Sequence, residues 1–374
     1  MEKRSLKACF ETLEDPRVER TQKHKLIDIV IIAITATIGQ ARGWREIRRF
    51  AEAKEAWFRS FLELPNGLPS RVTFARVISA LDPKELEKRF EEWTSQIRDY
   101  LKPDHIVLDG KKANRSHDRS KDVAPLHMVS AFSTNHQVVL ANEVVGPGKG
   151  ELSALCPLLQ VLFLKNCLVS IDAMGTRKNV ADQILSQDGD YLLALKSNNR
   201  NLWERVKNRF EKWQETKDFE GFPYQYTEDI GKDHGRLETR KVWQISIHKK
   251  WKEACAEWPG LKSIAVVEST REINGVISTE RRYYLCSLDL DVKRVARAIR
   301  KHWSIENQLH HVLDVTWQED QSRVRLLNAR ENLAIFRRWT LNLLKRDTSY
   351  PGGPKVKSQR AMWNDAYMLK IISH

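Results

Sequence analysis

Two apolar runs that each end in aspartate, His105-Ile-Val-Leu-Asp109 and Cys167-Leu-Val-Ser-Ile-Asp172, decide how this chain folds. The first run is followed by Gly-Lys-Lys and the second by Ala-Met-Gly. Each is therefore expected to be a strand that opens into a loop. Two such strands side by side would direct both carboxylates into one crevice at the edge of a sheet.

The segments around these runs predict a mixed α/β domain. Strands are expected at 105–109, 126–133, 137–145, 168–172 and 191–195, and helices at 151–164, at 178–186 and from about residue 201. Three antiparallel strands followed by strand–helix alternation is the order of a ribonuclease-H-like fold. In that order the first and fourth strands are neighbours, so Asp109 and Asp172 would be neighbours too.

The remaining sequence predicts further segments on either side of this core. Residues 1–100 read as a helical domain, which is either a DNA-binding module or a scaffold. We assign 101–215 to the first part of the core, 216–288 to a β-rich insertion, 289–345 to the part that completes the core, and 346–374 to a tail that breaks regular structure. The predicted class is an α/β, ribonuclease-H-like mixed sheet core with these additions.

Composition indicates the kind of partner and compartment. The 374 residues carry a net charge of +14. Such a surplus favours a polyanion such as nucleic acid, although an inert basic surface is the alternative. Five cysteines without a C-x-x-C exclude a zinc ribbon or disulfide framework and fit a reducing cytosol. With no signal peptide, and with an apolar stretch at 26–38 too short to span a bilayer, we expect a soluble cytoplasmic protein.

A third acid, Glu306, falls on the apolar side of a predicted helix. When 291–315 is placed on a helix at ~100° per residue, Glu306 and His302 share a side with Val295, Ile299 and Leu309. A carboxylate near a core is costly unless a cation or hydrogen bonds satisfy it. The cation could be a divalent metal, which is usual where three carboxylates converge, or a buried Arg. Alternatively, the helix twists so that Glu306 reaches water.

The block His302-Trp-Ser-Ile-Glu-Asn-Gln-Leu-His-His-Val-Leu-Asp314 resembles a known family. The chain resembles the insertion-sequence DDE transposases of the H-repeat-associated type over nearly its whole length. The resemblance rests on this block and on the order and spacing of several further pieces. The other pieces are Gly43-Trp44, Leu68-Pro-Ser-Arg-Val-Thr-Phe-Ala-Arg76, Leu108-Asp-Gly-Lys111, His127-Met-Val-Ser-Ala-Phe-Ser133, Asp172-Ala-Met-Gly175, Asp190-Tyr-Leu-Leu-Ala-Leu-Lys196, His234-Gly-Arg236 and Arg282-Tyr-Tyr284.

The resemblance implies a DNA transposase whose catalytic and metal-binding triad is Asp109, Asp172 and Glu306. Water would cleave a phosphodiester at the element end, and the freed 3′-hydroxyl would attack target DNA. Two Mg²⁺ (or Mn²⁺) ions per active site, ~3.5–4 Å apart, would assist both attacks. Asp109 would bridge the two ions, and Asp172 and Glu306 would each bind one of them. The implied partners are double-stranded element ends and target DNA, with homo-oligomerisation at synapsis and association with the nucleoid.

The sequence departs from the signature of related transposases at three positions. Those proteins carry Tyr-x-x-Arg-x-x-x-Glu-x-x-x-x-x-x-Lys, and here Ile299, His302 and Leu313 occupy the Tyr, Arg and Lys positions. His302 and His310, each one turn from Glu306, are the predicted substitutes for the missing phosphate contacts.

Other cations are expected to line a DNA track. Lys111, Lys112 and Arg115 follow the first acid, although they could instead form a solvated loop. His234, Arg236 and Arg240 lie in the β-rich insertion, where the alternative is an ordinary exposed hairpin. Lys196 and Arg300 complete the set of predicted DNA contacts: Lys111, Lys112, Arg115, Lys196, His234, Arg236, Arg240, Arg300, His302 and His310.

Two other functions remain compatible with the same residues. One is a ribonuclease-H-like nuclease that cuts DNA without joining it. The other is a transposase remnant that binds DNA without chemistry, and the intact set of three acids argues against that reading.

Overall fold

The computed structural model describes residues 6–98, 104–118, 120, 122–233, 236–247, 258–273 and 275–373. The strands in this part of the chain are β1 His105–Ala113, β2 Leu126–Ser133, β3 Val138–Val144, β4 Leu168–Ile171, β5 Asp190–Leu195, β6 Tyr224–Asp233, β7 Arg236–Ser246, β8 Ser263–Ile273 and β9 Val276–Cys286. They form a nine-stranded mixed sheet in the order β3-β2-β1-β4-β5-β9-β8-β7-β6. The predicted ribonuclease-H-like α/β class is confirmed.

The helices fall before, between and after these strands. They are α1 Leu6–Phe10, α2 Leu26–Ile38, α3 Trp44–Ala53, α4 Glu55–Phe58, α5 Arg71–Ala80, α6 Pro83–Arg98, α7 Leu152–Val161, α8 Lys178–Leu185, α9 Arg200–Thr216, α10 Val292–His302, a π-helix Glu306–His310, α11 His311–Trp317, α12 Leu327–Arg346, α13 Pro354–Trp363 and α14 Asp365–Ile372. Among the described helices, none is both long and apolar enough to cross a membrane.

The chain divides into two compact units. The first unit comprises Met1–Leu101, Gly110–Gly148 and Glu306–His374, and the second comprises Lys102–Asp109 and Lys149–Ile305. Each unit is therefore assembled from segments that are distant in sequence.

In the second unit, parallel strands are followed by a long antiparallel extension. Strand β4 pairs in parallel with β1 on one side and with β5 on the other, and β5 pairs antiparallel with β9. Helix α10 packs on one face of this sheet through Val295, Ala298 and Ile299, which share a core cluster with Leu168 and Leu192. This face also carries the carboxylates considered below.

The antiparallel extension is longer than the sequence predicts. Strand β6 was not predicted as a separate strand. The sequence predicts strands at 263–268 and 282–288 within the insertion, whereas β8 and β9 each contain 11 residues. Their outer halves are exposed, so apolar residues do not alternate there and the usual strand pattern is missing. Cross-strand polar pairs connect them instead, including Arg281 Nε to Glu268 Oε2 at 2.7 Å and Thr270 Oγ1 to Thr279 Oγ1 at 3.1 Å.

In the first unit, two helices form the centre of the core. Helix α2 is buried along nearly its whole length, and α12 packs against it. The α12 residue Asn342 accepts a hydrogen bond from the Val139 N–H at 2.9 Å and donates one to the Val139 carbonyl at 2.8 Å. A side chain thus satisfies the backbone of the edge strand β3, which would otherwise be open to pairing.

The predicted C-terminal tail contains two helices. Beyond the Pro351-Gly-Gly-Pro354 break, the chain forms α13 and α14, which bury Ala361, Met368 and Ile371. Helix α12 was also not recognised as an element of its own. Both segments belong to the first unit.

Candidate active site

Asp109 and Asp172 lie on neighbouring strands, each just after the last residue pair of the parallel ladder between β1 and β4. The predicted loop after Asp109 is wrong, because β1 continues past Gly110 to Ala113. Leu108 is paired with Ile171 in the parallel ladder between β1 and β4. Each aspartate is the next residue after this pair. Because neighbouring strands are ~4.8 Å apart and paired residues share a face, the two carboxylates leave the sheet side by side on one face. The predicted adjacency of strands one and four is confirmed.

Backbone groups hold the Asp172 carboxylate in place. Its Oδ1 accepts hydrogen bonds from the N–H groups of Met174 at 2.9 Å and Gly175 at 3.3 Å, which caps a 3₁₀ turn at Ala173–Gly175. Its Oδ2 has no hydrogen bond within the described part of the chain. A Cβ on Gly175 would lie 2.3 Å from Ile171 Cγ2 and 2.7 Å from a Leu155 methyl carbon, so this turn requires glycine.

The electrostatic surroundings of Asp172 favour the arrival of a cation. Burial, with the nearby charge of Glu151 as the next cause, raises the pKa of Asp172 above its usual range. The Gly175 and Met174 N–H groups and the positive charge of Lys196 oppose this rise. A half-buried carboxylate beside another acid gains stability from a bound positive charge.

The Lys196-Ser-Asn-Asn199 segment after β5 supports the Asp172 loop. The Asn198 amide donates to the carbonyl of Ala173, and the Asn199 amide donates to the carbonyl of Thr176 at 3.0 Å. The exposed Lys196 lies at the start of this segment. The two asparagines therefore position the loop, which gives this motif a structural role beside the predicted DNA contact.

A buried polar network joins β1, β4 and the end of α10. Ser170 Oγ lies 2.7 Å from His105 Nε2 and 2.8 Å from His302 Nδ1. Burial lowers the pKa of His105 to about 3 and that of His302 to about 4, so both rings are neutral near pH 7. Ser170 precedes Asp172 by two residues and shares its face. The network therefore fixes the C-terminus of α10 on the face that carries both aspartates.

This geometry gives His302 a different role from the predicted one. It was proposed to replace a phosphate-contacting Arg, but its ring is hydrogen-bonded within the core of the second unit and is uncharged at neutral pH. Sequence reasoning did not identify Ser170, because a serine within an apolar run carries no signal until its two partners are known.

Glu306 is exposed, contrary to the prediction that it lies on the apolar side of a regular helix. Its side chain is 57% exposed, while Ile305 and Leu309 are buried. Helix α10 ends at His302, and the chain continues into a π-helix at Glu306–His310, whose wider turn shifts every later position around the axis. Glu306 Oε2 lies 3.0 Å from Nδ1 of the buried His310. These two residues are thus one turn apart, as predicted.

The predicted DNA-contacting cations differ in how exposed they are and in whether they are paired with a carboxylate. Lys111 is only 8% exposed and pairs with Asp314. Lys112 and Arg115 are exposed on β1 and on the 3₁₀ turn that follows it. Arg240 pairs with Glu238 at 2.9 Å, and the exposed Arg300 pairs with Asp229 at 2.9 Å.

The two other predicted DNA contacts in the β-rich insertion are Arg236 and His234. Arg236 is the first residue of β7, and His234 lies outside the described residues.

Comparison with known proteins identifies the family. A model described as DDE_Tnp_1-associated matches residues 7–94, and the model of the transposase DDE domain matches residues 74–343. The chain belongs to the DDE transposase family. DNA recombination and endonuclease activity fit this family. The family's use of divalent metal ions is consistent with the donor types of Asp109, Asp172 and Glu306.

Members of the family resemble the chain over its full length. It is 36% identical over 372 residues to "Putative transposase YncI" of Escherichia coli O157:H7, covering 99% of this chain and 94% of that protein. It is 32% identical over 377 residues to "H repeat-associated putative transposase YhhI" of Escherichia coli K12, covering 100% and 99%. A cryo-EM structure of a piggyBac transposase synaptic complex with hairpin DNA aligns with a TM-score of 0.41 at 13% identity, covering 96% of this chain and 76% of that chain.

Proposed function

We propose that this DDE transposase cleaves the ends of an insertion sequence and joins them to target DNA at a site built from Asp109, Asp172 and Glu306. The observation that carries the proposal is the register of β1 and β4, in which Leu108–Ile171 is the last pair of the parallel ladder and each aspartate is the next residue. Adjacent carboxylates on one face of a sheet are suited to sharing cations.

The path of the chain after α10 supports Glu306 as the third acid. His302 is hydrogen-bonded to Ser170, two residues before Asp172, so the end of α10 is held beside β4. Glu306 follows His302 by four residues, or about one helical turn (~6 Å). The segment between them contains the buried Ile305. The side chain of Glu306 itself is exposed, so an ion or substrate can reach its carboxylate from solvent.

The donor chemistry of the proposed triad fits hard divalent cations. Asp109, Asp172 and Glu306 offer carboxylate oxygens, which Mg²⁺ and Mn²⁺ prefer. Within the described part of the chain, the hydrogen bonds of Asp172 engage its Oδ1, which leaves Oδ2 available to a cation. When bound, two such ions would lower the pKa of an attacking water and stabilise charge on the leaving oxygen.

The protein's own residues would orient this chemistry. The Met174 and Gly175 N–H groups hold Asp172, and the His105–Ser170–His302 network holds the strand and helix around it. In the first step water attacks a backbone phosphorus, and the bond to the 3′ oxygen breaks to leave a 3′-hydroxyl. In the second step that hydroxyl attacks a target phosphorus and displaces a target 3′ oxygen, so one phosphodiester replaces another.

Double-stranded DNA is the proposed partner at both steps. The net charge of +14 supports attraction to phosphates. The exposed Lys112 and Arg115 follow Asp109 along the chain, and the exposed Lys196 follows β5. Bringing two element ends together would require a homo-oligomer. The predicted division into an N-terminal helical domain, a split core, a β-rich insertion and a tail is retained as part of this proposal.

A strand-transfer assay tests the proposal and separates it from its rivals. Labelled DNA carrying the element end is incubated with the protein, supercoiled target plasmid and Mg²⁺. Joined product supports a transposase, whereas cleavage without joining would indicate a nuclease. A DNA mobility shift with neither product in Mg²⁺ or Mn²⁺ would indicate an idle DNA-binding copy. Glu306→Gln should abolish both products, and full activity in this variant would remove Glu306 from the triad.

A further inference from the structure

Lys111 connects two segments that bear directly on the proposed catalytic acids. It lies two residues after Asp109, and its Nζ lies 2.7 Å from Asp314 Oδ2 and 3.3 Å from Asp320 Oδ1. Asp314 is on α11, eight residues after Glu306. The side chain of Lys111 is only 8% exposed, so its ammonium has little surface that a DNA backbone could contact.

The two carboxylates that hold Lys111 are themselves fixed. The Asp320 N–H donates to Asp314 Oδ1 at 3.2 Å, and Asn114 donates to Asp320 through its backbone N–H at 3.4 Å and its side-chain amide at 3.1 Å. Together with the Lys111–Asp320 contact, these two Asn114 hydrogen bonds connect the loop after α11 to the end of β1 at three points.

The residue before Asp320 anchors this loop in the core. Glu319 is 2% exposed and lies 3.0 Å from the buried guanidinium of Arg338 and 3.5 Å from that of Arg337. Because these groups are buried and paired, moving the loop would separate charges in a low-dielectric region, which is costly. The carboxylates that face Lys111 are thus held on a rigid support.

We propose that Lys111 is a positioning residue, which clamps the strand segment that follows Asp109 to the helix that follows Glu306 and so fixes the chain next to each of these two acids. The inference rests on the proposed function and replaces the predicted role of Lys111 as a DNA contact. Without the ammonium, Asp314 and Asp320 would face each other without a cation and repel. The two segments would then separate, and the metal site would loosen.

The role of the clamp can be distinguished from that of a phosphate contact with a small set of variants. Lys111→Met removes the ammonium, Asp314→Asn removes its nearer partner, and the double variant removes both. Lys370→Met is the matched control, because Lys370 is exposed on α14 and the same charge is removed. Lys111→Arg retains the charge. For each protein we would measure Mn²⁺ affinity by calorimetry, the Mg²⁺ concentration for half-maximal cleavage, DNA affinity across salt concentrations, and melting temperature.

The clamp predicts that Lys111→Met and Asp314→Asn both weaken Mn²⁺ binding and raise the half-maximal Mg²⁺ concentration, on the order of 10-fold. The double variant should be no worse than either single variant, because both remove the same contact. Lys370→Met should leave the metal requirement unchanged, and Lys111→Arg should keep most of the wild-type Mn²⁺ affinity. The slope of log affinity for DNA against log salt should be the same for Lys111→Met and wild type.

A phosphate contact would give the opposite pattern. Lys111→Met would then reduce the salt slope by ~0.9 and weaken DNA binding, while Asp314→Asn would leave DNA binding equal or stronger. That result, or normal Mn²⁺ affinity in a folded Lys111→Met protein, would overturn the clamp. If Lys111→Met unfolds, Asp314→Asn and Lys111→Arg provide the same comparison. Failure of the wild-type protein to bind Mn²⁺ or cleave DNA would instead refute the proposed function.

Discussion

Replacing Ser170 with alanine tests the network that positions α10. The substitution removes two hydrogen bonds, of 2.7 Å to His105 and 2.8 Å to His302, and leaves two buried imidazoles facing a methyl group. Each hydrogen bond contributes about 0.5–1.5 kcal/mol, and each buried polar atom left unsatisfied costs about 1–3 kcal/mol. Allowing for relaxation, the free energy of unfolding should fall by about 2–4 kcal/mol at pH 7.

Urea denaturation of Ser170→Ala, His302→Ala and the double variant measures this effect. Because both substitutions remove the same hydrogen bond, their costs should not add, and the coupling should exceed about 0.5 kcal/mol. Cleavage should fall in both variants because the chain leading to Glu306 loses its anchor, while the salt dependence of DNA binding should not change. A loss below about 0.5 kcal/mol, or additive costs, would refute the network as the anchor of α10.

The same network predicts a dependence of stability on pH. The pKa of His105 is about 3 and that of His302 about 4 in the folded protein, below the ordinary value of about 6.5. The unfolded chain therefore binds more protons in this range, and stability is lost as pH falls from about 6.5 towards 4. His302→Ala should lose less stability than wild type over that interval in urea titrations. An equal loss would show that His302 does not carry this dependence.

Three further predictions concern other charged groups. Burial raises the pKa of Glu87 to about 8, so the folded protein keeps this proton while the unfolded chain releases it, and stability should fall by up to about 1.4 kcal/mol per pH unit between about 4.5 and 8. The melting temperature of Glu87→Gln relative to that of wild type should rise as pH increases from 5.5 to 8, and a constant difference between the two would contradict the raised pKa of Glu87. Glu319→Gln should cost about 3–5 kcal/mol in urea unfolding, because the guanidinium groups of Arg337 and Arg338 lose their buried partner; a cost below about 1 kcal/mol would show that they find another. Affinity for duplex DNA should fall steeply as salt rises from 50 to 200 mM, and a flat response would mean that the charge of +14 does not contact DNA.

The sequence predicted well the parts of the fold that follow from local patterns. The run ending in Asp109 and the run ending in Asp172 are strands in the structure, and they are neighbours as predicted. In the N-terminal helical segment, the sequence indicates Ser70 as a helix cap and Asp82-Pro83 as a helix start. In the structure, Ser70 caps α5 by accepting a hydrogen bond from the Thr73 N–H, and Pro83 opens α6. In each case the signal and its cause lie within a few residues of one another.

Helix α12 was missed because tertiary partners determine its polar residues. It buries Asn332, Arg338 and Asn342, whose hydrogen bonds reach distant backbone or side-chain groups. Polar residues therefore occur on its buried sides, and no apolar stripe separates from a polar face. No pattern within the segment could indicate these partners.

The environment of Glu306 could not be predicted for a different reason. A constant rotation of ~100° per residue places it among apolar neighbours, but α10 ends at His302 and a π-helix begins at Glu306, so the regular helix is interrupted between them. Lys111 presents a related problem, since a lysine in Asp-Gly-Lys-Lys looks like a solvated cation until Asp314, distant in the sequence, is found beside it. The three acids could be proposed from the sequence, whereas the residues that support them could only be found in the fold.

The most direct test of the metal-dependent site is cleavage of labelled element-end DNA by Asp172→Asn in Mg²⁺. The substituted amide would retain the size of the side chain but could not bind the cation as a charged ligand. Asp182→Asn is the matched control, because Asp182 is exposed on α8 and the same charge is removed. We predict that Asp172→Asn loses cleavage and joining while binding DNA as tightly as wild type, and that Asp182→Asn cleaves normally. Cleavage by Asp172→Asn at the wild-type rate would contradict the assignment of the active site.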